Sequence, residues 1–202
     1  MKLKFDRILI ATTNEGKVRE IKQILSQVFS ETKFISLSEL TKVKEPEENG
    51  KTFLENALKK ARYYYSIFGI PLIAEDSGLE VEALNGEPGI HSSNYAGPNS
   101  TQKQLIEKLL SKMKGKENRN ARFVSVVVFM YGKDKYIFAE GKVKGRIAEE
   151  PRGKEGFGYD PIFIPEGYDK TFAELGDEIK NKISHRRNAL VEITIRIKET
   201  LL

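Results

Sequence analysis

The spacing of apolar residues predicts a chain of alternating strands and helices. Arg7-Ile8-Leu9-Ile10-Ala11 reads as a short buried strand. Past the polar loop Thr12-Thr13-Asn14-Glu15-Gly16-Lys17, Val18, Ile21, Leu25 and Val28 recur at helical spacing, which starts a helix near Gly16. Phe34-Ile35-Ser36-Leu37 carries a weaker strand signal. Thr52-Phe53-Leu54-Glu55 fits a capping box; Leu54, Ala57, Leu58, Ala61 and Tyr65 continue that helix, and Gly69 followed by Pro71 ends it. Pro71-Leu72-Ile73 reads as the end of a buried strand, with Glu75-Asp76-Ser77-Gly78-Leu79 leaving the sheet as a polar turn.

Farther on, Asn85-Gly86 marks a turn, residues 90–97 read as irregular, and Ser100 caps a helix to about residue 113. Residues 112–122 form a basic connection without interleaved aromatics. Residues 123–131 are almost continuously apolar, the mark of a strand buried on both faces; Gly132-Lys133-Asp134 turns it back into a partner over 135–143. After the glycine-rich stretch 151–161, Ile162-Phe163-Ile164 reads as another strand. In the last segment Leu190, Ile193, Ile197 and Leu201 suit a helix, while Val191, Ile193, Ile195 and Ile197 suit a strand. Ser184 as an N-cap and the Glu192/Arg196 spacing favour the helix.

Composition narrows the chemistry. The 202 residues hold one domain or two tightly joined lobes, and 39% hydrophobic with 31% charged residues describes a folded globular protein. The net charge of +5 suits anionic partners, but the scattered Lys and Arg argue against a polynucleotide-binding arm. With no cysteine, disulfides, thiolate nucleophiles and zinc–thiolate sites are excluded, and a cytoplasmic setting is expected. Two histidines are too few for a multi-histidine metal centre, so any metal is held by oxygen, which favours Mg²⁺ or Mn²⁺. Met1-Lys2-Leu3-Lys4-Phe5-Asp6 lacks the apolar run of a leader, and no apolar stretch reaches membrane-spanning length.

Four stretches carry candidate chemistry. Glu75-Asp76 places two carboxylates side by side, which repel unless a cation or proton offsets them; the readings are a metal and water-activating site, or a turn in which Asp76 caps an amide. The strand–loop–helix passage at residues 12–17 is an anion site by geometry, with Lys17 adding charge, although it lacks full P-loop spacing; an ordinary turn is the alternative. Glu47 and Glu48 either complement a helix dipole or share a metal with Asp76. Gly156-Phe157-Gly158-Tyr159-Asp160-Pro161 offers an aromatic face with glycines that allow close approach, or a plain loop with a packed phenylalanine.

Taken together, five stretches resemble the inosine triphosphate pyrophosphatases: residues 11–17; Glu48 with 50–57; Glu75-Asp76-Ser77-Gly78-Leu79 with Pro88-Gly89-Ile90; 156–161; and Lys180 with Ile183-Ser184-His185-Arg186. Order and spacing agree along nearly the whole chain. Glu75 stands where an aspartate is common, and His91-Ser92-Ser93-Asn94-Tyr95 replaces an aromatic-Ser-Ala-Arg-aromatic run. The resemblance implies an α/β fold, a long mixed β-sheet flanked by helices in two lobes with the active-site cleft between them, as one domain over residues 1–202. It implies a homodimer that uses Mg²⁺ (or Mn²⁺) to hydrolyse ITP, dITP and XTP to the monophosphate and pyrophosphate. By the same resemblance Thr12, Thr13, Asn14, Glu15, Gly16 and Lys17 hold the triphosphate. Glu48 and Asp76 bind the metal, and Asp76 orients and deprotonates the attacking water. Ser77 touches substrate, Phe157 stacks on the base beside Gly158, Tyr159 and Asp160, and Lys180, His185 and Arg186 complete the base and phosphate contacts. The competing readings are a Maf-type pyrophosphatase acting on other bases and a non-catalytic nucleotide- or RNA-binding module.

Overall fold

A computed structural model describes residues 5–201; Met1-Lys2-Leu3-Lys4, the start of the polar stretch read above as lacking a leader, lies outside the described residues. The chain runs β1 (Arg7–Ile10), α1 (Glu15–Ser26), β2 (Lys33–Ser36), α2 (Phe53–Phe68), β3 (Leu72–Val81), α3 (Gln102–Met113), β4 (Asn120–Gly132), β5 (Lys135–Ile147), β6 (Phe163–Pro165), α4 (Phe172–Ile183) and α5 (His185–Leu201). Six strands form one sheet in the order β2-β1-β3-β4-β5-β6. β1 pairs in parallel with β2 and β3, whereas β5 and β6 are antiparallel, so the sheet is mixed, as the resemblance implies.

The chain divides into two compact units. One comprises the chain to Asp76, Ser125–Gly141 and the chain from Arg186; the other comprises Ser77–Val124 and Lys142–His185. In the first, Ile8 and Ile10 of β1, Ile73, Val127 and Phe129 pack with the apolar faces of α1 (Ile21, Leu25) and α5 (Leu190, Ile193, Ile197). In the second, Leu79 and Val81 join Leu105, Leu109 and Met113 of α3 and the rings of Phe123, Phe163 and Phe172. No helix among the described residues is long and apolar enough to cross a membrane.

Several expectations from sequence are corrected. β3 does not end at Ile73 but runs ten residues to Val81, so Glu75-Asp76-Ser77-Gly78 is strand, not turn. The segment stays extended because it pairs within the sheet, and its alternation sends Glu75 and Asp76 to opposite faces. α1 stops at Ser26, which leaves Val28 39% exposed. α3 is capped by Thr101, whose hydroxyl takes the Gln104 amide in a full capping box, while Ser100 turns back to Gly97. Thr52 caps α2 through the Glu55 amide, but the Glu55 carboxylate accepts from Lys51 N at 2.7 Å, one residue outside the predicted box. β4 and β5 extend into the segments read as loops, because β5 gains β6 as a neighbour through pairs such as Arg146 with Ile164. The C-terminal segment is helical, with Leu190, Ile193 and Ile197 buried and Ile195 46% exposed.

Candidate active site

The first group of predicted residues gathers where β1 ends beside β3. Ala11 donates to the carbonyl of Ile73 at 2.8 Å, so the loop at residues 12–17 begins level with the acidic stretch of β3. Asn14 caps α1: its side chain accepts from Lys17 N at 3.0 Å, and its own amide donates to Thr12 Oγ1 at 3.2 Å. The loop is therefore held in shape by its own side chains at the positive end of a helix dipole. Thr13 and Glu15 are exposed, and Gly16 is half-buried. The Glu15 carboxylate repels a triphosphate, so only its backbone suits such a ligand.

Glu75 lies on one face of β3. Its carboxylate accepts from Arg186 Nε at 3.0 Å to each oxygen and from Ser125 Oγ at 2.7 Å, and Lys17 Nζ lies 3.7 Å away. Arg186 also pairs with Glu20, which is buried on α1. Burial alone would raise the Glu75 carboxyl, but the Arg186 guanidinium and the Lys17 ammonium outweigh it and hold the group well below the usual carboxylate range. Burial pushes the Lys17 ammonium below its ordinary value, against the opposing pull of Glu75.

Asp76 lies on the other face. Asn56 Nδ2 donates to its Oδ2 at 3.0 Å, and Lys60 Nζ stands 3.8 Å from its Oδ1. Asn56 is also a clamp, since its Oδ1 accepts from Gly50 N at 2.8 Å. A Cβ on Gly50 would meet that oxygen at 2.7 Å, which is why glycine stands there. Lys60, one turn along the same helix face, reaches Glu48 Oε1 at 2.9 Å. Burial raises the Asp76 carboxyl, helped by Glu48 and opposed by Lys60 and Lys17. It is thus a better proton acceptor than an ordinary aspartate. Replacing Asn56 with leucine should strand the Gly50 amide and loosen Asp76. We expect a loss of about 1–3 kcal/mol in urea unfolding together with reduced turnover; an unchanged midpoint would deny Asn56 this clamping role.

The second group lies in the other unit, around the loop that follows Gly153. Asp160 Oδ2 accepts from Phe157 N at 2.8 Å and from Lys180 Nζ at 2.5 Å. A Cβ on Gly156, at φ +76°, would strike that carboxylate at 2.2 Å, so glycine is required. Lys180 Nζ stands 4.3 Å from the centre of the half-buried Phe157 ring. Tyr159 OH donates to the carbonyl of Ser92 at 2.9 Å, and Ser92 Oγ accepts from Leu79 N at 2.9 Å. The stretch that departs from the resembled family therefore anchors the aromatic loop to β3. Ser77 is half-buried, and His185 is buried with its ring stacked on Phe123 at 4.7 Å.

Glu48 and Asp76 share Lys60 as an ion-pair partner, and they offer hard oxygen donors on one cation. Among the described residues no cluster of three or more His, Cys, Asp or Glu is fit to hold a metal. Two carboxylates suit a divalent ion that keeps waters and takes its remaining ligands from substrate phosphates.

The reading from sequence missed Asn56, Lys60, Glu20 and Ser125. A signal for the first two exists: Phe53, Asn56, Ala57, Lys60, Ala61 and Tyr64 form one buried stripe of α2, with two polar residues in an apolar seam. The predicted stripe, through Leu54, Leu58 and Tyr65, was rotated toward the half-buried residues because it followed apolar character alone.

Comparison with known proteins identifies the family and supports the fold. A model of the Ham1 family matches residues 8–195. The dITP/XTP pyrophosphatase of Aquifex aeolicus (strain VF5) is 50% identical over 201 residues, covering 95% of this chain and 96% of that protein. Among solved structures, the Staphylococcus aureus Ham1 protein has a TM-score of 0.84 at 42% identity, over 96% of this chain and 98% of that one. A HAM1 protein from Coxiella burnetii has a TM-score of 0.86 at 40% identity, over 96% and 99% of the two chains.

Proposed function

Because the chain belongs to the Ham1 family, we propose that it is a nucleoside-triphosphate pyrophosphatase that hydrolyses dITP, XTP and ITP to the monophosphate and pyrophosphate. The carrying observation is Asp76: a carboxylate raised by burial, aimed by Asn56 and flanked by Lys60 and Glu48. In this reading Asp76 accepts the proton of the water that attacks the α-phosphorus. Lys17 and the amides at the start of α1 bind the departing pyrophosphate oxygens. Glu48 and Asp76 would hold Mg²⁺, or Mn²⁺ in its place, which when bound neutralises the phosphates and lowers the barrier to attack.

Phe157 takes the base by stacking, with Tyr159 and Asp160 beside it, and Lys180, His185 and Arg186 complete the base and phosphate contacts. Arg186 donates only, so it matches the acceptor oxygen at purine position 6 and rejects the donor amine of adenine. Its guanidinium is buried and paired with Glu20 and Glu75, which fix its position. We read the whole chain as one catalytic domain acting on small nucleotides, as a homodimer in the cytoplasm; light scattering of the purified protein tests the dimer.

Pyrophosphate release from ITP, dITP and XTP, with and without Mg²⁺ and with ATP, GTP, dTTP and UTP as controls, tests the activity. We expect Mg²⁺-dependent release from the first three. Preferred turnover of dTTP or UTP would point instead to a Maf-type enzyme, and polynucleotide binding without pyrophosphate release to a binding module.

A further inference from the structure

The amide of Gln102, the first residue of α3, donates from Nε2 to the carbonyl of Gly158 at 2.9 Å, across 56 positions of sequence. Gly158 sits at φ +58° directly after the ring of Phe157, a conformation that glycine enters and leaves readily. The neighbouring residues are already tied, Phe157 by its amide to Asp160 Oδ2 and Tyr159 by its side-chain hydroxyl to the Ser92 carbonyl. The Gly158 carbonyl lies between the carbonyls of Phe157 and Tyr159, which accept from the Asp160 and Ile162 amides, and Gln102 holds it from outside the loop. The α3 helix does not need this bond for its own start, since Thr101 and Gln104 close the capping box one residue earlier.

We infer that Gln102 is a positioning residue for base recognition, fixing the Gly158 peptide so that the Phe157 ring is presented in one orientation. The inference rests on the reading of Phe157 as the stacking platform for the base. Gln102 touches no reacting atom; it acts through the loop, and its effect falls on nucleotide affinity rather than on the chemical step.

Two variants test it. Gln102→Met keeps length and removes the donor. Gln102→Glu sets an acceptor against the Gly158 carbonyl, yet it favours the N-terminus of α3 through the helix dipole. A merely structural role makes the glutamate variant the better protein. The positioning role predicts that both raise KM for dITP about five-fold, the ratio matching one ordinary hydrogen bond, with kcat within about two-fold and no fall in melting temperature. In a Phe157→Ala background, which should itself raise KM, Gln102→Met should add nothing further. Amide hydrogen exchange at Phe157 should quicken in both Gln102 variants whatever the base does. Unchanged exchange overturns the inference, as does faster exchange with unchanged KM while Phe157→Ala raises KM, or a Gln102 effect that persists in full without the ring. If exchange quickens and Phe157→Ala itself leaves KM unchanged, the stacking reading fails while the brace on the loop stands, and the claimed role in base recognition is overturned with it.

Discussion

Asp76→Asn should lose about two to four orders of magnitude in kcat, the span that general-base catalysis supplies, while dITP binding stays measurable. The substitution keeps the shape of the side chain and its neighbour Asn56 but removes the proton acceptor. Single-turnover pyrophosphate release and nucleotide titration separate the two effects; near-normal turnover would reject Asp76 as the base. Stability should move the other way. The Asp76 carboxyl is raised in the folded protein above its ordinary 3.8, so at neutral pH its ionised form is disfavoured by folding. The group stabilises the fold only as pH falls through the raised value, when the folded state takes the proton more readily. The amide in the variant carries no such charge, and the melting temperature at pH 7 should be equal to or above that of the parent, an exchange of stability for activity. Lys60→Met removes the largest influence lowering that carboxyl, so the acid limb of kcat/KM should shift to higher pH.

The largest loss of stability is expected from Arg186→Met. It leaves Glu20 and Glu75, both buried, without the guanidinium that pairs with them, and leaves Glu75 with Lys17 at 3.7 Å and the Ser125 hydroxyl. Breaking a buried pair by removing one member costs about 3–5 kcal/mol, since the other charges stay behind in low dielectric. For a chain of this size that corresponds to a fall in melting temperature of roughly 10 °C or more. Adding Glu20→Gln and Glu75→Gln should recover part of the loss. If Arg186→Met unfolds at the parent's urea midpoint, the cluster is not a stabilising element. The acid dependence follows from the same contacts. Glu75 is held below its ordinary 4.5 when folded, so the unfolded chain takes up that proton first. The contribution is complete above about 4.5 and is lost as pH falls below it toward the folded value. Without Arg186 the carboxyl rises and that acid-side loss shrinks.

Part of the site was written locally. Thr52 caps α2 as its residue type and position require, and the strand–loop–helix order put Lys17 at a helix start. Gly156-Phe157-Gly158 read as either a binding loop or a plain loop with a packed phenylalanine, and the structure puts Gly156 and Gly158 at positive φ, where glycine is favoured. The motif order by itself pointed to the family, and with it to the reaction class. In α5, where apolar periodicity suited helix and strand alike, the Ser184 cap position and the Glu192/Arg196 spacing favoured the helix that forms.

What the chain could not reveal by local reading is which side chains meet. Glu75 and Asp76 are neighbours in sequence, and their adjacency suggested mutual repulsion relieved by one shared cation. The strand alternation turns them apart: Glu75 goes to Arg186, 111 positions away, and Asp76 to Asn56 and Lys60 on α2. Whether this stretch was strand or turn depended on neighbours in the sheet, because Ser, Gly and Asp favour turns when taken alone. Asn56, Lys60, Glu20 and Arg186 are polar residues on buried faces, tolerated there only because each finds a partner from another element. Hydrophobic patterning sees such residues as exposed, and only tertiary pairing reverses that assignment.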